Sequence, residues 1–256
     1  MSLPQLVLLF IAAVVGGTLN SVAGGGTFFT VPTLIVTGVL PITANATSTV
    51  ALWPGSLASV WAYRRELAQQ RRGVLYLLIG TSLVGGILGA LLLVGSSQST
   101  FVHLLPYLLL MATLLFALSP YITARLHIRS MEKTTLSWPH LIGISFAQLI
   151  IAIYGGYFGG GIGILMLATL GIMGMENIHM MNAVKTLLTV CINGVAIITF
   201  IIAGIIDWPL AVLMIAGTVI GGYGGAYYAR KIDQKWVRLF VIFVGFSMTI
   251  YFFVRP

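Results

Sequence analysis

Apolar residues in this chain arrive in long blocks, and the polar residues gather between them. Ten blocks can be marked: residues 4–23, 27–40, 45–63, 73–95 and 101–123, then 138–158, 162–175, 183–206, 209–229 and 237–254. A helix needs about 20 residues to cross a hydrocarbon core of roughly 30 Å, and eight blocks come close to or exceed that. The second and seventh hold only 14 residues each, a reach of about 21 Å at the helical rise. Each directly follows a run of glycine. The first run reads Asn20-Ser-Val-Ala-Gly24-Gly25-Gly26-Thr27, and the second Tyr154-Gly-Gly-Tyr157-Phe-Gly159-Gly160-Gly161. Consecutive glycines lose the most backbone entropy on folding and leave peptide groups uncovered. Uncovered peptide groups cost several kcal/mol in hydrocarbon, so such a break must lie against protein or a water-filled cavity. The pattern predicts half-length or re-entrant helices placed at a binding site, as in transporters built from broken helices.

The two short blocks hold corresponding places because the chain repeats. Asn45-Ala46 matches Asn182-Ala183, Thr49 matches Thr186, Gly80-Thr81 matches Gly217-Thr218, and Gly85 matches Gly222, all at 182 − 45 = 137. The glycine triplets are offset by 161 − 26 = 135, so two residues have entered between break and Asn. A constant offset across two blocks argues for an internal duplication. The expected organisation is a first membrane repeat over 1–123, a linker over 124–137 and a second repeat over 138–256.

Composition agrees with the blocks. The chain is 59% hydrophobic and 7% charged, with mean hydropathy +1.05, whereas a soluble domain carries about a quarter charged residues. The expected fold class is therefore an all-α polytopic membrane protein embedded in a lipid bilayer. A net charge of +8 suggests nucleic acid, but its distribution does not: no Lys or Arg precedes Arg64, and most of the rest form short clusters between apolar blocks. These are cytoplasmic loops under the positive-inside rule. In the first half the loop after the third block is basic (Arg64, Arg65, Arg71, Arg72) and the loop after the fourth is neutral. In the second half the order is exchanged, with Asp207-Trp208 after the third and Arg230, Lys231, Lys235 and Arg238 after the fourth. Equivalent loops then lie on opposite faces, so the repeats are expected to be inverted, with five segments each. Arg125, Arg129 and Lys133 put the linker in the cytoplasm and both termini outside. Trp61, Trp138, Trp208 and Trp236 fall near segment ends, as an aromatic belt does, while Trp53 is placed to line the interior. Gly85-xxx-Gly89 and Gly217-xxx-Gly221-xxx-Gly225 allow close helix approach. Cys191 lies in an apolar run and reads as a small core residue. Residues 1–10 lack a basic stretch, so no cleaved signal peptide is expected.

No enzyme constellation appears: there is no HExxH, no Walker A run and no paired intramembrane carboxylate, and His103, His127, His140 and His179 are scattered. Neither catalytic residues, nor a metal site, nor a cofactor is expected. Polar but uncharged residues remain: Asn20, Ser21 and Thr27 at the first break, then Asn45, Thr47, Ser48 and Thr49. The second half offers Tyr154, Tyr157, Asn182, Lys185, Thr186, Thr189 and Asn193. Half-helices starting at Thr27 and near Ile162 would aim free N–H groups and positive dipole ends at one cavity. Such donors suit a small oxyanion. Any single Ser or Thr reads better as bonding within its own helix. Lys185 has two readings, a cation facing a bound anion or a side chain snorkelling to the cytoplasmic end of its segment. Glu176 and His179 read as a solvated loop in preference to a proton-coupled gate. The candidate substrate set is Asn20, Gly24, Gly25, Gly26, Thr27, Asn45, Ser48, Thr49, Tyr157, Gly159, Gly160, Gly161, Asn182, Lys185 and Thr186.

Asn20-x-x-Ala-Gly-Gly-Gly-Thr27 with Pro32, Gly38 and Asn45-Ala-Thr-Ser-Thr49 resembles the first signature of the sulfite exporter TauE/SafE family. Gly155-Gly-Tyr-Phe-Gly-Gly-Gly161 and Asn182-Ala-Val-Lys-Thr186 resemble the second, so the likeness spans nearly the whole chain. It implies a permease of the prokaryotic cytoplasmic (inner) membrane that moves sulfite, sulfonates, sulfoacetate or related small anions. The motifs do not separate those substrates or fix the direction, and a homodimer is one option for the oligomeric state. The expected function is a secondary transporter, acting as an exporter. A passive anion channel and a non-transporting membrane scaffold subunit are the alternatives.

Overall fold

The structure, a computed structural model, describes all residues except 23–24, 71, 130–137, 174, 176, 229–233 and 255–256. The side chains of 21–22, 119–120, 122–129, 138–140, 178, 224–228 and 234–238 also lie outside the description. Among the described residues there are eleven helices and no strand: α1 (Leu3–Val22), α2 (Thr27–Val36), α3 (Pro41–Ala62), α4 (Arg64–Ala68), α5 (Arg72–Gly95), α6 (Gln98–Arg129), α7 (Trp138–Tyr157), α8 (Ile162–Ile172), α9 (Ile178–Ile202), α10 (Trp208–Tyr228) and α11 (Gln234–Val254). Ten follow the ten apolar blocks. The additional α4 is a single turn in the basic loop.

The fold is apolar outside as well as inside. In the four longest apolar spans only 28% to 39% of the residues are buried, and Ile202, Tyr223 and Phe243 stand 82%, 87% and 68% exposed. Such a surface is stable only when hydrocarbon replaces water around it. The chain is an all-α polytopic membrane protein.

Helices α2 and α8 contain 10 and 11 residues, about 15 and 17 Å of helix, roughly half a membrane. Both double back along the helix before them. Thr30 lies against Gly16, where a Cβ would come within 2.8 Å of its methyl group, and Leu34 joins Leu9 and Ala13 in one apolar cluster. In the same way Ile162 lies against Gly155. The two short segments are thus re-entrant hairpins rather than continuations of their neighbours.

The halves pack reciprocally. Helix α1 lies along α10, and α7 lies along α5. Gly221 and Gly89 sit directly on the carbonyl oxygens of Val14 and Ile153, with no room for a Cβ, while Gly217 and Gly85 face Ala13 and Ala152. Exchanging the halves carries one set onto the other, but at offsets of 217 − 85 = 132 and 152 − 13 = 139. The sequence matches had paired Gly85 with Gly222 and Gly80 with Gly217. The close contacts do not follow those pairings. Gly80 has open space around it, and the nearest atom to Gly222 is a carbonyl at 3.9 Å, so neither makes the close contact that its supposed partner would require.

At the centre α3 crosses α9. The Trp53 indole N–H donates to Val190 O at 3.1 Å, and Gly194 lies beside the same ring. The offset here is 190 − 53 = 137, the value found for the Asn-Ala pairs. Trp53 therefore lines the interior as expected. Trp61 and Trp208 are 72% and 49% exposed at helix ends, with the Arg64 guanidinium 5.0 Å over the Trp61 ring. Trp138 and Trp236 have side chains outside the described residues.

Hydrogen bonds fix the end of the molecule away from Arg64. Gln98 Oε1 accepts from Ile42 N at 3.1 Å, covering an otherwise free donor in the first turn of α3. The Asp207 carboxylate accepts from Leu210 N in the first turn of α10, and Asp207 N donates to Thr47 Oγ1. Tyr157 and Ser96 share a hydroxyl contact of 3.3 Å. This end gathers the starts of α3, α6 and α10 with the end of α5, and the Tyr157 side chain reaches toward it from the second break.

Candidate functional site

Both glycine breaks flank the α3–α9 crossing. A Cβ on Gly26 would meet Leu52 Cδ2 at 2.8 Å, one residue from Trp53, and one on Gly155 would meet Ile192 Cγ2 at 3.1 Å, two residues from Val190. The breaks therefore lie about halfway along the spanning helices, where the chain must turn without exposing peptide groups to hydrocarbon.

The second break is built by glycine conformation. Gly159 and Gly161 have φ of +80° and +76°, a region that costs other residues roughly 1–2 kcal/mol. Gly161 caps α8 in the left-handed conformation without a side-chain cap. The Tyr154 hydroxyl donates to Gly160 O at 2.7 Å, and Asn45 Nδ2 donates to Tyr157 O at 2.9 Å. Two carbonyls of the break are thus satisfied, one by α7 and one by the opposite half of the chain. The N–H groups of Gly160 and Gly161 donate to no acceptor among the described residues.

The first break is built by close approach instead. Gly26 has φ −58°, and a Cβ there would fall 2.6 Å from Gly16 O and 3.1 Å from the Cβ of Asn20. Its carbonyl accepts from the Thr30 hydroxyl at 3.1 Å, and Thr30 shares a 2.6 Å contact with Ser48. Gly25, a candidate substrate residue, is under neither constraint. Its φ is not positive, and a Cβ would make ordinary contacts of 3.4 Å and longer. Gly24 lies outside the described residues, as does Glu176.

Lys185 extends across the start of α8. Its Cδ is 3.2 Å from the Cβ position of Gly163, and Nζ donates to Asn182 Oδ1 at 3.0 Å. Its stem thus packs on protein beside the second break. Around that break the structure assembles Asn45, the backbone of Tyr157 and Gly159 to Gly161, while Lys185 lays its stem on Gly163 and turns Nζ to Asn182. Around the first it assembles Asn20, Gly26 and Ser48.

Other candidates are turned elsewhere. The Thr49 and Thr186 hydroxyls donate to Asn45 O and Asn182 O one turn back, as single threonines in helices commonly do. The Tyr157 hydroxyl reaches Ser96 rather than the break. Thr27 starts α2, half-buried, as expected. Asn45 and Asn182 share no hydrogen bond among the described residues, and the amide nitrogen of Asn45 donates to Tyr157 O. That bond uses one of the two N–H groups of the amide.

Thr30, fully buried, was not among the sequence candidates. Its only signal was one more threonine in an apolar stretch, and only the return of α2 against Ser48 singles it out. Tyr154, named among the polar residues of the second half but not in the substrate set, finds Gly160 O with its hydroxyl through the turn. His179 donates its backbone N–H to the capping Asn177, the ordinary geometry of a helix start.

Comparison with known proteins gives the chain a family. The family model described as Sulfite exporter TauE/SafE matches residues 9–252. A probable membrane transporter protein of Haemophilus influenzae is 29% identical over 245 residues, covering 95% of this chain and 92% of the relative. Probable membrane transporter protein YfcA of Escherichia coli is 28% identical over 250 residues, covering 94% and 87%. Probable membrane transporter protein ORF9 of a Sinorhizobium species is 26% identical over 253 residues, covering 98% and 93%. No solved structure matches. With its broken helices, apolar exterior and a family match spanning both breaks, this chain belongs to the TauE/SafE sulfite exporter family of membrane transporters.

Proposed function

We propose that the chain is a secondary transporter that exports sulfite, a sulfonate or a related small sulfur anion across the prokaryotic cytoplasmic membrane. The observation that carries this reading is the pair of glycine breaks flanking the α3–α9 crossing. Free backbone donors at a helix start, together with a nearby cation, form an anion site without any acidic group. Lys185 fits the role of that cation, because its stem packs on α8 beside the break.

The reciprocal packing of α1 on α10 and α7 on α5 supports two inverted repeats rocking about the crossing, the arrangement expected for alternating access. Both termini and Asp207 are assigned to the outside, and Arg64 to the cytoplasm. An anion leaves a negative-inside cell downhill by about 2.3 kcal/mol per charge for each 100 mV. Export therefore needs no coupled ion.

Reconstitution into liposomes with labelled sulfite and sulfonates tests the reading. Saturable counterflow is expected. An ohmic current without counterflow would point to a channel, and no flux of any anion would support a scaffold subunit.

A further inference from the structure

One atom at the second break has the wrong polarity for a site that offers an anion only donors. Asn45 is 1% exposed, and its Oδ1 is buried without a hydrogen-bond partner. The assignment of oxygen and nitrogen in this amide is fixed by chemistry. Tyr157 O can only accept, so the group 2.9 Å from it must be the nitrogen. The oxygen is left on the same planar amide, at the contact between α3 and the break. A buried acceptor with no partner is costly, and native structures rarely keep one without a role. Asn45 thus adds a single acceptor to a break whose Gly160 and Gly161 N–H groups are free donors.

We propose that Asn45 Oδ1 selects anions that carry a hydrogen-bond donor of their own: a singly protonated oxyanion, or a sulfonate bearing a hydroxyl. The anionic oxygens take the glycine N–H groups, and the ligand's own O–H donates to Asn45. An anion of equal charge without that donor leaves Oδ1 unpaired in the loaded site. Polar sites discriminate most strongly against ligands that leave such a group unsatisfied. The inference rests on the anion-transport reading above and specifies which anions fit.

The test compares ligands of equal charge on the wild-type protein in proteoliposomes. Isethionate and ethanesulfonate differ by one hydroxyl, and each is measured as an inhibitor of labelled sulfite counterflow. Isethionate should inhibit at a concentration lower by about tenfold or more. Asn45→Leu should reduce that ratio to near one. The wild-type ratio stands as a test even where this variant does not fold. Sulfite affinity should also fall as pH rises past the loss of its last proton, while that of ethanesulfonate stays level. Equal inhibition by the two sulfonates in wild type, with counterflow intact, would overturn the role of Asn45 and leave the transporter reading standing. Absence of counterflow for every anion would overturn both.

Discussion

Glycine is used in two physically different ways within a few residues of each break, and the difference can be measured. Gly159 and Gly161 need positive φ, so Gly159→Ala and Gly161→Ala should each cost roughly 1–2 kcal/mol and lower the unfolding temperature of the detergent-purified protein. Gly25 needs neither unusual φ nor exceptional space, and Gly25→Ala should leave stability and counterflow close to wild type. Lys185 makes a second residue-scale test. A lysine that only snorkels could become glutamine with little effect, whereas one that faces the anion could not. Lys185→Gln is expected to weaken sulfite binding by at least about tenfold, since hydrogen bonds to charged groups contribute about 1.5–3 kcal/mol. Unchanged affinity in folded protein would assign Lys185 to the interface with lipid headgroups.

Between helices, association in a bilayer rests on close packing, because lipid tails are as apolar as the side chains they would replace. The stripes on α5 and α10 work this way, with Gly89 and Gly221 seated on carbonyl oxygens of α7 and α1. Gly89→Leu and Gly221→Leu should force these pairs apart and cost at least about 1–3 kcal/mol each. Loss of a monodisperse peak in size exclusion would report it. Gly80→Leu, on the same α5 but in open space, should be tolerated. If Gly80→Leu were as damaging as Gly89→Leu, the packing register at offset 132 would be wrong, and the sequence match at 137 would return. The two registers differ for a plain reason. Glycine and threonine recur throughout these helices, so identities arise at several offsets, and only the backbone contact shows which glycine has no room for a side chain.

Across the whole molecule, the exchange of basic loops between the halves predicts which ends share a face. Cysteines at positions 68 and 207 on a Cys191→Ser background should react with a membrane-impermeant thiol reagent from opposite sides. Labelling of both from one side would contradict the inverted arrangement. At this scale the fold was largely legible. Ten apolar blocks became ten helices, and the shortness of residues 27–40 and 162–175 announced two that do not cross. The joining segment 130–137 lies outside the described residues.

The sequence by itself determined the class of the protein, its ten apolar segments, the location of its breaks and the family to which it belongs. These follow from local facts: apolar length against bilayer thickness, glycine runs against helix propensity, and motifs contiguous in the chain. Only the tertiary structure decided that α2 and α8 fold back along α1 and α7, that Thr30 meets Ser48, and that Gly25 has room for a Cβ where Gly161 is held at positive φ. It also decided the polarity of Asn45. From sequence either end of its amide could meet the break, and the orientation was set by Tyr157 O, which is 112 residues away in the chain and 2.9 Å away in space. A side chain with both kinds of group takes its role from whichever partner occupies the other one, and that partner is known only once the chain has folded.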